Sequence, residues 1–154
     1  MGDDGLGLHV LERLQAEWDF DARVRLIDGG TWGMKLLPDI EDASRVMFLD
    51  AINTMRHAPG TVLLLERDEI PMMTDHNKLS PHQVGVQEVL AVSDFRGTLP
   101  VETCAVGIVP LTVDLATELT PVVQAGVDAC IARAVERLRA WGHTCTRHRG
   151  LPDA

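Results

Sequence analysis

Side chains capable of metal or acid–base chemistry stand where apolar runs give way to loops. Asp28 closes the run Arg23–Asp28 (RVRLID), Asp50 closes Arg45–Asp50 (RVMFLD), Asp3 and Asp4 precede the first helical pattern, and His82 follows Ser80-Pro81. In a mostly parallel sheet, ligands collect outside the carboxyl ends of the strands, where several loops converge. An aspartate at such an end either accepts hydrogen bonds from the next turn or serves as a ligand. The same choice holds for Asp3 and Asp4, because a carboxylate at a helix start satisfies orphan amides and favours the helix dipole. One of that pair can cap while the other points away. His82 sits just inside a helix start, where rigid backbone holds an imidazole that the loop side can still reach; taken alone it reads as an ordinary surface or core histidine. Two carboxylates and one imidazole make a mixed oxygen and nitrogen set that suits a borderline divalent ion such as nickel or zinc. Three protein ligands leave coordination positions open for chemistry or for a shared metal.

The elements that must position these groups alternate between helical and strand patterns, which is the signature of an α/β domain. Leu6, Val10, Leu11, Leu14 and Trp18 recur at spacings of three and four and predict a helix from Gly5 to Trp18, capped by Asp3 or Asp4. Arg23–Asp28 reads as a short strand stopped by Gly29 and Gly30. A short helix over Gly33–Leu37 should end before Pro38. The runs Arg45–Asp50, Thr61–Glu66 and Cys104–Val109 are continuously apolar and of strand length, as expected for strands covered on both faces. His57-Ala58-Pro59-Gly60 is a turn, and Ser80-Pro81 opens the helix carrying Val84, Val86, Val89, Leu90 and Val92. A last helix runs from Thr120-Pro121 to about Trp141, with Gly142 as its stop. The domain therefore covers 1–142, and 143–154 reads as a polar tail. In that tail His143, Cys145 and His148 could hold a metal, although a frayed, solvated end is the preferred account of them.

Composition narrows the function. The chain has 154 residues, 14 Lys plus Arg against 23 Asp plus Glu, a formal charge of -9, 45% hydrophobic residues and a mean hydropathy of +0.04. That describes one globular domain whose field repels a polyphosphate, so nucleic acid is not an expected partner. No apolar run reaches the ~18 residues of a bilayer span, and Asp3 and Asp4 occupy the place where a secretory signal needs a basic patch. The expectation is a cytoplasmic protein without a membrane partner. Cys104, Cys130 and Cys145 form neither an even disulfide set nor a CxxC pair, and read as small apolar residues. Gly5 and Gly7 have no preceding strand in this chain, so they do not make a dinucleotide fingerprint.

Five short motifs in a fixed order resemble the maturation endopeptidases of nickel-iron hydrogenases over nearly the whole chain. They are Gly2-Asp3-Asp4-Gly5-Leu6-Gly7, Asp28-Gly29-Gly30-Thr31 with Gly33, Asp50-Ala51, Ala58-Pro59-Gly60-Thr61 and Asn77-Lys78-Leu79-Ser80-Pro81-His82-Gln83, the last being the most specific. The resemblance implies a three-layer αβα sandwich with a mostly parallel mixed sheet, about four strands here of an expected five. It implies metal contacts at Asp4, Asp50 and His82, with His76 as second choice, and recognition of the large subunit by Asp28, Gly29, Gly30 and Thr31. Asp4 stands where the family uses either Glu or Asp, so its reach is one methylene shorter than in the Glu members.

The implied reaction is hydrolysis of one peptide bond near the C-terminus of the hydrogenase large-subunit precursor after nickel insertion, by a monomer classed with aspartic-type endopeptidases. The nickel arrives with the substrate rather than as a resident cofactor, and either it or a carboxylate activates water. Pro71-Met72-Met73 could pack on the partner or over the protein's own core. The rival readings are a nickel-binding assembly factor or metallochaperone that cuts nothing, and a nucleoside-type phosphorylase sharing the scaffold, although the chain has no phosphate loop. Family members also carry a strand ahead of the Gly-Asp-Asp turn. The expectation is therefore a natural start some ~12 to 15 residues upstream of Met1, and without that strand an unpaired seam of backbone groups in the sheet.

Overall fold

The structure is a computed structural model that describes residues 2–30, 33–73, 81–112 and 118–149, without the side chains of 72–73 and 81–84. In chain order the elements are α1 (Leu6–Glu17), β1 (Trp18–Phe20), α2 (Leu37–Asp42), β2 (Arg45–Ala51), β3 (Val62–Glu66), α3 (Pro81–Phe95), β4 (Glu102–Ile108), α4 (Pro121–Gln124), α5 (Val127–Ala140) and β5 (Cys145–Arg147). Short 3-10 turns cover Gly2–Gly5, Gly33–Leu36 and Arg67–Met73.

The main sheet has the order β2-β4-β3. β4 lies in its middle, parallel to β2 with Leu49 beside Val106 and antiparallel to β3 with Leu64 beside Val106. Six of its seven residues are buried, because helices cover both faces. Alternate residues serve two cores. Val106 and Ile108 face Leu6, Val10 and Leu14 of α1 and Val127 and Ile131 of α5, whereas Ala105 joins Phe48, Ile52, Ile40 of α2 and Val89 of α3. Each large apolar side chain withdrawn from water in this way contributes about 1.5–3 kcal/mol. The result is the mixed α/β sandwich expected from the alternating pattern.

Several local expectations are corrected. Arg23–Asp28 is no ladder strand; Val24 and Leu26 turn inward at alternate positions, but among the described residues no strand pairs with it. Pro38 does not end a helix. It lies in the first turn of α2, where its missing N–H costs nothing. The last helix is interrupted at Ala125–Gly126, where the backbone passes so close to Gly60 and Ile108 that a Cβ at Gly126 would stand 3.1 Å from the Ile108 side chain. Neither Asp3 nor Asp4 caps α1, whose N-cap Gly5 has no side-chain bond. The segment after Gly142 is not frayed at its start: β5 pairs antiparallel with β1, and Cys145 is buried.

A cavity of about 980 Å³ lies between the Arg23–Gly30 segment and β2. Apolar side chains reach it from both helical layers, Leu11 and Leu14 from α1 and Ile40 and Val86 from the other face. It runs along the second edge of β2, which has no ladder partner among the described residues. Ile52 N–H donates to Ile108 O, so with the alternation of a strand Phe48 and Asp50 direct their amides to β4, whereas Met47 and Leu49 direct theirs to the cavity. In hydrogen exchange on the 154-residue chain, the amides of Met47 and Leu49 should therefore exchange at least ten times faster than those of Phe48 and Val106, as resolved residue by residue by NMR.

Candidate functional site

The carboxyl end of β2 and the turn Gly2–Gly5 meet at one end of this cavity, and Asp50 and Asp4 both line it. They are brought together by a close approach of backbone: a Cβ at Gly7 would lie 2.1 Å from the carbonyl oxygen of Leu49, so only glycine lets α1 start against the end of β2. Asp50 is 7% exposed. Ala51 N–H donates to its Oδ1 at 2.8 Å. Burial pushes the Asp50 carboxyl up from the ordinary 3.8 to about 7, the nearby charge of Asp4 adds to the rise, and the Ala51 N–H partly opposes it. The group is thus poised to take up or release a proton near neutrality, which is the property a general acid or base requires.

His82 is the second residue of α3; its side chain lies outside the described residues, as do all of His76 and Thr31. The backbone nevertheless gives its place. α3 ends at Phe95, seven residues before β4 begins at Glu102, and Thr98 N–H donates to Ser93 O in the connecting turn. The helix therefore descends against β4. Its 15 residues span about 22 Å, close to the roughly 23 Å of the seven-residue strand, so the helix start bearing His82 stands at the end of the sheet where β2 delivers Asp50. A second close approach holds that start. Gly85, three residues after His82, crosses Gly33 so tightly that a Cβ at Gly33 would lie 2.3 Å from the Gly85 carbonyl oxygen.

Asp28 behaves first as a turn residue. Gly30 N–H donates to its Oδ1 at 2.9 Å, and Gly30 takes a φ of 54° that disfavours any side chain. Asp28 and Gly30 are exposed. The tail residues are not gathered into a common site: His143 Nδ1 lies 3.2 Å from Asp21, and His148 Nε2 lies 3.1 Å from Asp19. Cys104, Cys130 and Cys145 are free and buried, and burial pushes the first two thiols up to about 11 and about 12, which makes them poor ligands and nucleophiles. Among the described residues no group of three or more His, Cys, Asp or Glu could hold a metal. The sequence reading missed the role of Asp3, which alone of the described acidic residues is fully buried and satisfied by hydrogen bonds from a distant loop. A doubled acid in a turn is the only trace of it in the sequence.

Comparison with known proteins identifies the family and the fold. A model of the family described as hydrogenase maturation protease matches residues 8–137. The hydrogenase 2 maturation protease of Escherichia coli is 34% identical over 140 residues, which cover 91% of this chain and 85% of the relative. The hydrogenase expression/formation protein HupD of Rhodobacter capsulatus is 36% identical over 146 residues, 94% of this chain and 69% of the relative. The solved structure of the hydrogenase maturating endopeptidase HybD from E. coli superposes with a TM-score of 0.88 at 32% identity, covering 96% of this chain and 91% of that one.

Burial of Asp50 has a consequence for stability. Between its ordinary value and about 7 the folded chain retains a proton that the unfolded chain has lost, so this group makes stability fall as pH rises through that window. Asp50→Asn removes the effect. Urea unfolding should show the variant more stable than the parent at pH 8, by an amount on the order of 4 kcal/mol, and the difference should vanish at about pH 4.

Proposed function

The chain belongs to the hydrogenase maturation protease family, and on that footing we propose that it removes the C-terminal extension of a nickel-iron hydrogenase large-subunit precursor once nickel has been inserted. The observation that carries the proposal is the pair of carboxyls at the end of β2, Asp50 buried with Asp4 beside it, facing the end of the sheet at which α3 begins with His82. In this reading Asp4, Asp50 and His82 contact the nickel that the substrate brings. Two oxygens and one imidazole nitrogen suit that ion, and a three-residue set leaves room for the ligands the precursor already supplies.

Contact with the nickel fixes the scissile bond against the cleft, and a precursor without nickel offers these residues nothing to hold. Nickel polarises the attacking water or the carbonyl. Either that nickel or one of the two carboxylates acting as general base activates the water, and the grouping with aspartic-type endopeptidases follows from the family resemblance. The segment Asp28–Thr31 meets the large subunit; its support is the exposure of Asp28 and Gly30 and the family resemblance of this motif. We also propose that the protein acts as a monomer in the cytoplasm, as the family resemblance implies; no described helix is long and apolar enough to cross a membrane.

The deciding experiment incubates the chain with nickel-loaded and nickel-free precursor and follows the precursor's C-terminus by mass spectrometry. The expected result is a discrete mass loss from the nickel-loaded form alone. A precursor left intact by a chain that binds nickel tightly by itself identifies a metallochaperone instead. His82→Ala should lower processing by at least 100-fold while its unfolding midpoint stays close to that of the parent, because the proposed contact is with substrate. Unchanged processing with a large loss of stability would mark His82 as a core residue.

A further inference from the structure

We infer that Asp3 is a positioning residue: its carboxylate fastens the turn Gly2–Gly5 to both ends of the loop after β4, and by doing so holds Asp4 beside Asp50. The inference rests on the reading of Asp4 as a substrate-contacting residue. Asp3 is 0% exposed. Its Oδ1 accepts from Thr120 N–H at 2.7 Å, and its Oδ2 accepts from Leu111 N–H at 2.9 Å, from Thr112 N–H at 3.4 Å and from the Thr120 hydroxyl at 3.0 Å. Leu111 and Thr112 follow β4 directly, and Thr120 stands at the head of α4. A carboxylate withdrawn from water is costly unless donors replace its hydration, and bonds to an ionised acceptor are the strong ones. One side chain thus joins the N-terminal turn to two points of a loop 108 and 117 residues further along the chain.

Asp4 is the next residue and inherits this anchorage. Asp3 turns to the loop after β4, whereas Asp4 lines the cavity with Asp50, so the two neighbours divide the roles that their types left open. On the other side of the turn, Gly7 rests against the carbonyl of Leu49. The turn is therefore gripped between the end of β2 and the loop after β4, and the placement of Asp4 depends on both grips.

Asp3→Asn keeps the shape and replaces one acceptor by an amide donor. Whichever way that amide lies, its NH2 group faces either the Thr120 N–H or the three donors on the other oxygen, so one side of the fastening is lost. The test is a double-mutant cycle between Asp3→Asn and Asp4→Asn on cleavage of nickel-loaded precursor. Asp3→Asn should lower kcat/KM about 100-fold, the scale of a misplaced contact. In the Asp4→Asn background it should cause no further loss, because a residue acting through Asp4 has nothing left to position. Thr120→Val, which removes only the hydroxyl bond, should give a smaller loss that is likewise absent without Asp4, and it covers the case in which Asp3→Asn fails to fold. Losses that multiply in the double variant, or wild-type kcat/KM in Asp3→Asn, overturn the inference. A second readout is independent of cleavage: amide exchange in Asp3→Asn should quicken together at Gly5, Leu6, Leu111 and Thr120, and exchange unchanged at Gly5 and Leu6 overturns the inference even if the parent cleaves nothing. Failure of the parent chain itself to cleave overturns instead the reading of Asp4 on which the inference rests.

Discussion

Parallel strands cannot be joined by a tight turn, so once β2 and β4 pair in parallel the chain between them must leave the sheet and return to its starting end. That return is made by β3, which runs down the far side of β4, and by α3, which descends across the face. The opposite face is closed by α1 and α5, which bury Val106 and Ile108, and β4 becomes apolar along almost its whole length. Because β2 and β4 end together, their following loops and the start of α3 gather at one end of the sheet. The carboxyl of Asp50 is delivered there at the close of a buried strand, and its raised proton affinity follows from that location.

Two close backbone approaches refine what the topology supplies. Gly7 lets the turn bearing Asp4 lie against the end of β2, and Gly33 with Gly85 lets the 3-10 turn Gly33–Leu36 lie against the first turns of α3. A methyl group at any of these positions would push apart elements whose contact brings the acidic residues and His82 to one region. In this protein, glycines set the spacing of the site and aspartates set its charge.

Much of the site could be read without coordinates because its residues obey local rules. Asp50 ends an apolar run of strand length, and His82 follows Ser80-Pro81, a cap-then-proline pair ahead of a helical pattern, so both were placed at element ends from neighbours alone. Other features depended on distant partners. Arg23–Asp28 has the alternation of a strand, but alternation cannot supply a partner, and the edge of β2 lies across a cavity from it. Cys145–Arg147 is polar and short, and forms a strand because Trp18–Phe20 offers it an edge. Pro38 could end one helix or open another, and only the packing of Ile40 into the core selected the second.

The sequence by itself determined the residue types of the site, the alternation of helix and strand that makes an α/β domain, and the motifs that mark the family, because these are properties of side chains and of near neighbours. Tertiary structure decided which of two adjacent acids serves the fold and which faces the cavity. Asp3 and Asp4 have the same chemistry and the same local setting; Asp3 is buried because Leu111, Thr112 and Thr120 bring four donors to it from the loop after β4. The same holds for the proton affinity of Asp50. Desolvation by two layers of helices, with a neighbouring carboxylate beside it, is a property of the assembled sheet that a single strand does not possess.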